Sequence, residues 1–188
     1  MKRVALLLIA AACLTPTAPG FAAPQAEHRS ASDRTSKIAQ YEAAEALAKA
    51  HLASFDTLDF EVISKQNWDR LGESHGKDVV VHWPDGRQTT GLDAHVQDLK
   101  RMFVYAPDAH IKEHVAEIAN GEWTSVIGIT EGTFTEPMPT ASGTPIAPTG
   151  KAFRLVISTV GHWKDGVMDE EYLFWDTQSF LKQVGLAR

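Results

Sequence analysis

The chain contains one cysteine in 188 residues, Cys13. A lone thiol closes no internal disulfide and supplies no multi-cysteine metal site, which removes the thiol-stapled and zinc-ribbon classes. No G-x-S-x-G elbow is present, and no glycine-rich phosphate loop precedes a helix, so the common serine hydrolase and nucleotide-binding signatures are absent. Positive charge is also short. Lys and Arg number 18 against 24 Asp and Glu, a formal net charge of −6, which argues against nucleic acid or an anionic membrane surface as a partner. Long apolar runs are missing except for Val4–Leu14, and its eleven residues fall short of the ~20 that a membrane-spanning helix needs.

That run follows Lys2 and Arg3 and is broken by Pro16, Pro19 and Gly20, with small residues up to Ala23. This is the layout of a secretory signal peptide. The expected division is therefore residues 1–22 as signal, 23–35 as a polar flexible leader, and 36–188 as one folded domain. A competing reading makes Cys13, after Ala10–Ala12, a lipoprotein acylation site. With cleavage before Ala23, 16 basic residues face 24 acidic ones, for a net −8, and no cysteine remains. The expected product is periplasmic or secreted, with no membrane contact after signal removal.

Helical spacing of Ile38, Tyr41, Ala44, Ala48, Leu52 and Phe55 predicts an amphipathic helix, and Leu58–Ser74 predicts one or two short helices. Val79–Val81 reads as a strand, stopped by a turn at His82-Trp83-Pro84-Asp85-Gly86. Thr90-Gly91-Leu92-Asp93 resembles a capping box ahead of a helix carrying Leu92, Val96, Leu99 and Phe103. The segment from His110 to Ala119 has mixed spacing and is assigned to a strand, followed by a turn at Asn120-Gly121. Three further strands are expected over 123–134, 153–163 and 167–176. Between the first two lies Pro137–Gly150, a long connection without a period and a candidate cover for a site. Helices first and a mostly antiparallel sheet after them argue an α+β fold.

The last two strands meet at Asp165-Gly166, a strong hairpin signal. A three-residue Lys164-Asp165-Gly166 loop sets Trp163 opposite Val167, Val156 opposite Phe174 and Arg154 opposite Asp176. Alternation then puts Asp176, Phe174, Tyr172, Glu170 and Met168 on one face. Arg154, Val156, Ser158, Val160 and His162 share that face. A strand ending Trp175-Asp176 and followed by Phe180-Leu181-Lys182-Gln183-Val184-Gly185-Leu186 resembles the end of SnoaL-like polyketide cyclases, also labelled ester cyclases, of the NTF2-like superfamily. Val79–His82, Gly121–Thr124 and Pro148–Phe153 fit the same group, so the resemblance spans about Ile38–Leu186.

The resemblance implies a strongly curved sheet wrapped on N-terminal helices around an apolar cavity, no cofactor, and a homodimer. It further implies Asp176 as the acid/base of an intramolecular aldol closure, acting on a small apolar or carbonyl-rich ligand. Arg154 or His82 would steady the enolate oxygen. Trp83, Tyr172, Phe174, His162 and Glu170 would line the ligand site, Glu170 being preferred to Glu171 by its parity with Asp176. Two structural roles for Asp176 stay open: an ion pair with Arg154, and a cap on the terminal helix. Non-catalytic ligand binding is the alternative function. A remote one is zinc peptidase chemistry from His110-Ile111-Lys112-Glu113-His114, an H-x-x-E-H pattern that works on a helix; no metal site is otherwise expected.

Overall fold

The computed structural model describes residues 23–188. The expected signal segment and Cys13 lie outside the described residues. Six strands form one sheet: β1 His75–His82, β2 Gln88–Thr90, β3 His110–Asn120, β4 Trp123–Thr133, β5 Ala152–Lys164 and β6 Val167–Trp175. Their order is β2-β1-β6-β5-β4-β3. All neighbours run antiparallel except β1 and β6, which are parallel. The three α-helices are α1 Ala23–Asp56, α2 Leu92–Tyr105 and α3 Thr177–Gln183. The architecture is α+β, with helices packed on a curved, unclosed sheet.

Residues 23–35, expected as a leader without structure, belong to α1. Gln40–Arg188 form one compact unit, and the helical residues before Gln40 belong to another. Within the Gln40–Arg188 unit, the last turns of α1 enter the core through Ala48, His51 and Phe55, whereas Ile38 and Tyr41 of the expected apolar stripe are exposed. At Thr57 the helix widens into a π-helical turn that runs to Ile63. Ser64 holds it by donating both its N–H and its hydroxyl to the Asp59 carbonyl. Such insertions re-aim side chains and gather at functional positions. Here the turn buries Leu58 and Val62 while Asp59 faces the cavity.

α2 starts at Gly91, whose φ of 99° suits glycine, and no side-chain cap forms there. The capping box expected at Thr90–Asp93 is therefore not made. The ambiguous segment from His110 is a strand. In the connection Pro137–Gly150, Met138 and Ile146 bridge each other and pack on a core cluster with Phe134, Phe153 and Phe180. Both side chains are half-buried, so each contributes less than the ~1.5–3 kcal/mol of full burial.

Candidate active site

The β5–β6 hairpin decides which side chains reach the cavity. Lys164 pairs with Val167, so the loop has two residues, Asp165 and Gly166, both at positive φ, rather than the three expected. A β-bulge follows: Trp163 pairs with Met168, but His162 pairs with Glu170. The extra residue, Asp169, flips the alternation of β6. Met168 is buried on the core side, and beyond the bulge the core side carries Glu171, Leu173 and Trp175. On β5 the matching residues are Leu155, Ile157 and Thr159. The face expected to enter the cavity is the outer one.

Most of the sequence-derived site residues consequently sit elsewhere. Asp176 is exposed and caps α3, accepting the Ser179 N–H at 3.1 Å. It does not meet Arg154, whose guanidinium lies 3.3 Å from Glu131 and 3.6 Å from Glu113. Of the two structural roles left open for Asp176, the cap is the one formed. His82, Tyr172 and Glu170 make a cluster on the outer face: His82 stacks on Tyr172, and both donate to Glu170 Oε1 at 2.8 Å. Together these bonds hold the Glu170 carboxyl below its ordinary range, Tyr172 contributing most. Phe174 is exposed on that face, and His162 pairs with Asp169 at 2.6 Å. Trp83 alone of the expected set lines the cavity, buried against Leu173, with Arg87 stacked on its ring. The H-x-x-E-H segment lies in β3, so the helical geometry it needs is absent. Glu113 faces Arg154.

The cavity encloses about 620 Å³ and is walled mainly by apolar side chains, among them Leu58, Leu99, Phe103, Leu155 and Leu173. Its volume suits a small organic molecule. Tyr105 also lines it, its hydroxyl pushed up by burial and so kept as a neutral donor. The Thr130 hydroxyl in the same wall has no partner within the described residues.

Two groups of titratable residues reach this space, the first through Asp59 and the second through His75, His95 and Glu171. In the first, Asp59 Oδ2 accepts from His114 Nε2 at 2.8 Å. The other ring nitrogen of His114 lies 3.0 Å from Asp56 and 2.9 Å from Glu117. Burial would lower the imidazole, but the bonds and charges of Asp59, Glu117 and Asp56 outweigh it and raise it to about 9. Burial likewise pushes the Asp59 carboxyl up, against the pull of His114. The result is a carboxylate of raised basicity, partnered by an imidazolium at neutral pH and facing an apolar space.

In the second group, Glu171 is buried between His75 and His95. Its Oε2 lies 3.7 Å from His75 Nε2 and 3.3 Å from His95 Nε2. Burial lowers His95 to about 4. For Glu171 burial acts upward, but the two imidazoles, His75 first, outweigh it and hold the carboxyl below its ordinary range. The donor atoms of His75, His95 and Glu171 lie within 4.8 Å of one another, as do those of Asp56, His114 and Glu117, so each set has the spacing of a metal site. Beside the first set, buried Asp98 is bridged by Arg87 at 3.0 Å and Arg101 at 2.9 Å.

The family model for the SnoaL-like polyketide cyclase matches residues 56–184, from the end of α1 to α3. The chain belongs to this family. Among solved structures it is similar to a SnoaL-like polyketide cyclase from Jannaschia sp. CCS1, with a TM-score of 0.66 and 14% identity over 76% of this chain and 96% of that one. It is also similar to IdmH, a polyketide cyclase by its description, from Streptomyces antibioticus (TM-score 0.61, 17% identity, 72% and 98% covered). A protein with a ketosteroid isomerase-like fold from Catenulispora acidiphila, solved with trimethylamine, matches at a TM-score of 0.56 and 14% identity, covering 72% and 92%. At these identities the solved structures establish the fold, which is SnoaL-like and NTF2-like. A comparison with curated proteins finds no match.

Glu171 is the acid set aside for Glu170 in the sequence and His114 appears there only within the H-x-x-E-H pattern, while Asp59, His75 and His95 are not singled out, although two signals point to Asp59 and His95. His95 lies on the apolar stripe of α2, one position before Val96 and four before Leu99, where a polar residue is out of place. Asp59 is likewise flanked by Leu58 and Phe60. Its exposure to the cavity depends on the π-helical turn, which no periodicity announces.

Proposed function

We propose that this SnoaL-like protein is a cyclase or isomerase that moves a proton next to a carbonyl in an apolar small molecule, with Asp59 as the acid/base. The observation that carries this reading is a raised, imidazolium-paired carboxylate opening into an apolar cavity of about 620 Å³. An exposed aspartate near pKa 3.9 is a weak base toward carbon, whereas a desolvated one is stronger. Asp59 takes the proton from the carbon beside the carbonyl, leaving an enolate, and Tyr105, which also lines the cavity, serves as a neutral donor to the enolate oxygen. In the aldol case the enolate carbon attacks a second carbonyl of the same molecule, and the new alkoxide recovers the proton. His114 touches Asp59 and positions it. Asp176, by contrast, is a helix cap in this account.

Family membership supports the reaction class, and the charge balance and apolar wall support a neutral or carbonyl-rich ligand rather than a nucleic acid. The basic and apolar residues at the N-terminus support export, and the apolar outer face of β5 and β6 supports a homodimer. The reading is tested by incubating the protein in deuterium oxide with a panel of mono- and bicyclic β-keto esters and diketones. NMR would follow label entering the α-carbon. Exchange well above buffer, lost in Asp59→Asn, is expected. Retention of a compound without any exchange would favour a ligand-binding role instead.

A further inference from the structure

The cavity wall contains a charge arrangement that the acid/base reading does not use. His75 at the start of β1, His95 in the first turn of α2 and Glu171 in β6 come from three separate elements, yet their side chains converge. All three are almost fully buried, at 2%, 2% and 4% exposure, and all three line the cavity. The neighbouring imidazoles favour the Glu171 carboxylate electrostatically, yet its buried Oε2 still has to be given a bonded partner.

Hydrogen bonding between the three does not do it. The Ser74 hydroxyl lies 3.2 Å from the Leu71 carbonyl and 2.9 Å from His75 Nδ1, so Nδ1 is the ring atom it engages and Nε2 is the atom aimed at Glu171. That contact is 3.7 Å, beyond hydrogen-bond range and far beyond the ~2.7–2.9 Å of an imidazolium–carboxylate bond. The His95 contact, at 3.3 Å, is also long. His75 Nε2 and Glu171 Oε2 are both buried without a partner.

These separations suit a shared cation. Imidazole nitrogens and a carboxylate oxygen, each about 2.0–2.2 Å from a tetrahedral zinc ion, stand roughly 3.3–3.6 Å apart. We propose that His75, His95 and Glu171 bind one divalent first-row transition metal, of which zinc is the representative probe, through His75 Nε2, His95 Nε2 and Glu171 Oε2. Two imidazoles and one carboxylate are a borderline-hard donor set suited to zinc or ferrous iron rather than calcium. Three protein ligands leave at least one coordination position, and it faces the cavity, where a water or a substrate oxygen fits. Ser74 orients His75 as an outer hydrogen-bond partner, the arrangement that fixes ligand tautomers in metal sites. The site shares no ligand with the Asp59–His114 pair, although the Glu171 charge helps to raise the Asp59 carboxyl across the cavity, and it departs from the expectation of a cofactor-free protein.

The test is metal binding, read without any substrate. The protein is stripped with dipicolinate, and zinc and cobalt(II) are titrated by calorimetry and by visible absorption. One equivalent of each should bind, with cobalt giving d–d bands of nitrogen and oxygen ligation. Ser74→Ala, which leaves the three ligands in place, should weaken binding by about 10- to 100-fold. Glu171→Gln and His95→Gln should weaken it further, with circular dichroism confirming that the variants are folded. His110→Ala and His114→Ala should leave affinity unchanged. A stripped wild-type protein that takes up no stoichiometric metal overturns the proposal. So does binding that survives Glu171→Gln and His95→Gln, or that is lost only in the His110 or His114 variant. If Glu171→Gln fails to fold, the Ser74→Ala titration decides alone, and unaltered affinity there overturns the site.

Discussion

His114 is the residue whose ionisation ties this site to stability. Its imidazole is held up to about 9 by Asp59, Glu117 and Asp56, against an unfolded value near 6.5. A raised folded value means that the native state keeps a proton the unfolded chain releases. The associated stability is complete below about pH 6.5 and disappears as pH rises through 9. Urea unfolding across pH 6–10 should show this decline in the wild type, and His114→Gln should be less stable at pH 6 and nearly flat through the window. A wild-type curve that stays flat from pH 6.5 to 9.5 would contradict the assignment. Catalysis should follow the same groups. The kcat/KM for proton exchange should fall at low pH as Asp59 becomes protonated, and again above about 9 as His114 loses its proton.

At the scale of single elements, the β5–β6 hairpin shows what was legible in sequence. Its existence, its Asp-Gly turn and the terminal helix after it follow from local signals that the structure reproduces. The set of even-numbered residues sharing a face from Glu170 onward is also reproduced. What alternation could not give was which face turns inward. β6 carries Leu173 and Trp175 on one side and Tyr172 and Phe174 on the other, so both faces look apolar enough to be buried. The bulge at Asp169 adds a parity change that has no sequence marker. Asp176, just past the strand, was assigned to the cavity by this same alternation. Its role as a cap makes a distinct prediction. Asp176→Ala should lower stability by about 1 kcal/mol through the lost bond to Ser179, with exchange activity per folded molecule unchanged. Loss of activity in a fully folded Asp176→Ala protein would return the acid/base role to that residue.

For the molecule as a whole, the order of helices and strands was enough to read an α+β fold, and the motifs at its C-terminus were enough for the family. Asp59, His75, His95 and Glu171 come from the π-helical turn, β1, α2 and β6, and only tertiary packing brings them to one cavity. That packing also leaves Ile118, Val156 and Phe174 exposed at 65%, 57% and 52%. Apolar side chains exposed together on a sheet face mark an association surface, and the proposed homodimer would cover it. Sedimentation of the purified protein should give a dimer at micromolar concentration, and Val156→Glu with Phe174→Glu should give a folded monomer. A wild-type monomer under those conditions would contradict the dimer and leave the cavity account standing.

The central claim is that the reacting proton is handled from the cavity face by Asp59. The measurement that tests it most directly is deuterium incorporation into the α-carbon of a bound β-keto ester, compared between wild type, Asp59→Asn and Asp176→Ala. Rates in Asp59→Asn should fall at least about 100-fold, the usual worth of a general base, with ligand affinity nearly unchanged and Asp176→Ala close to wild type. Undiminished exchange in Asp59→Asn, with loss in Asp176→Ala, would contradict the account.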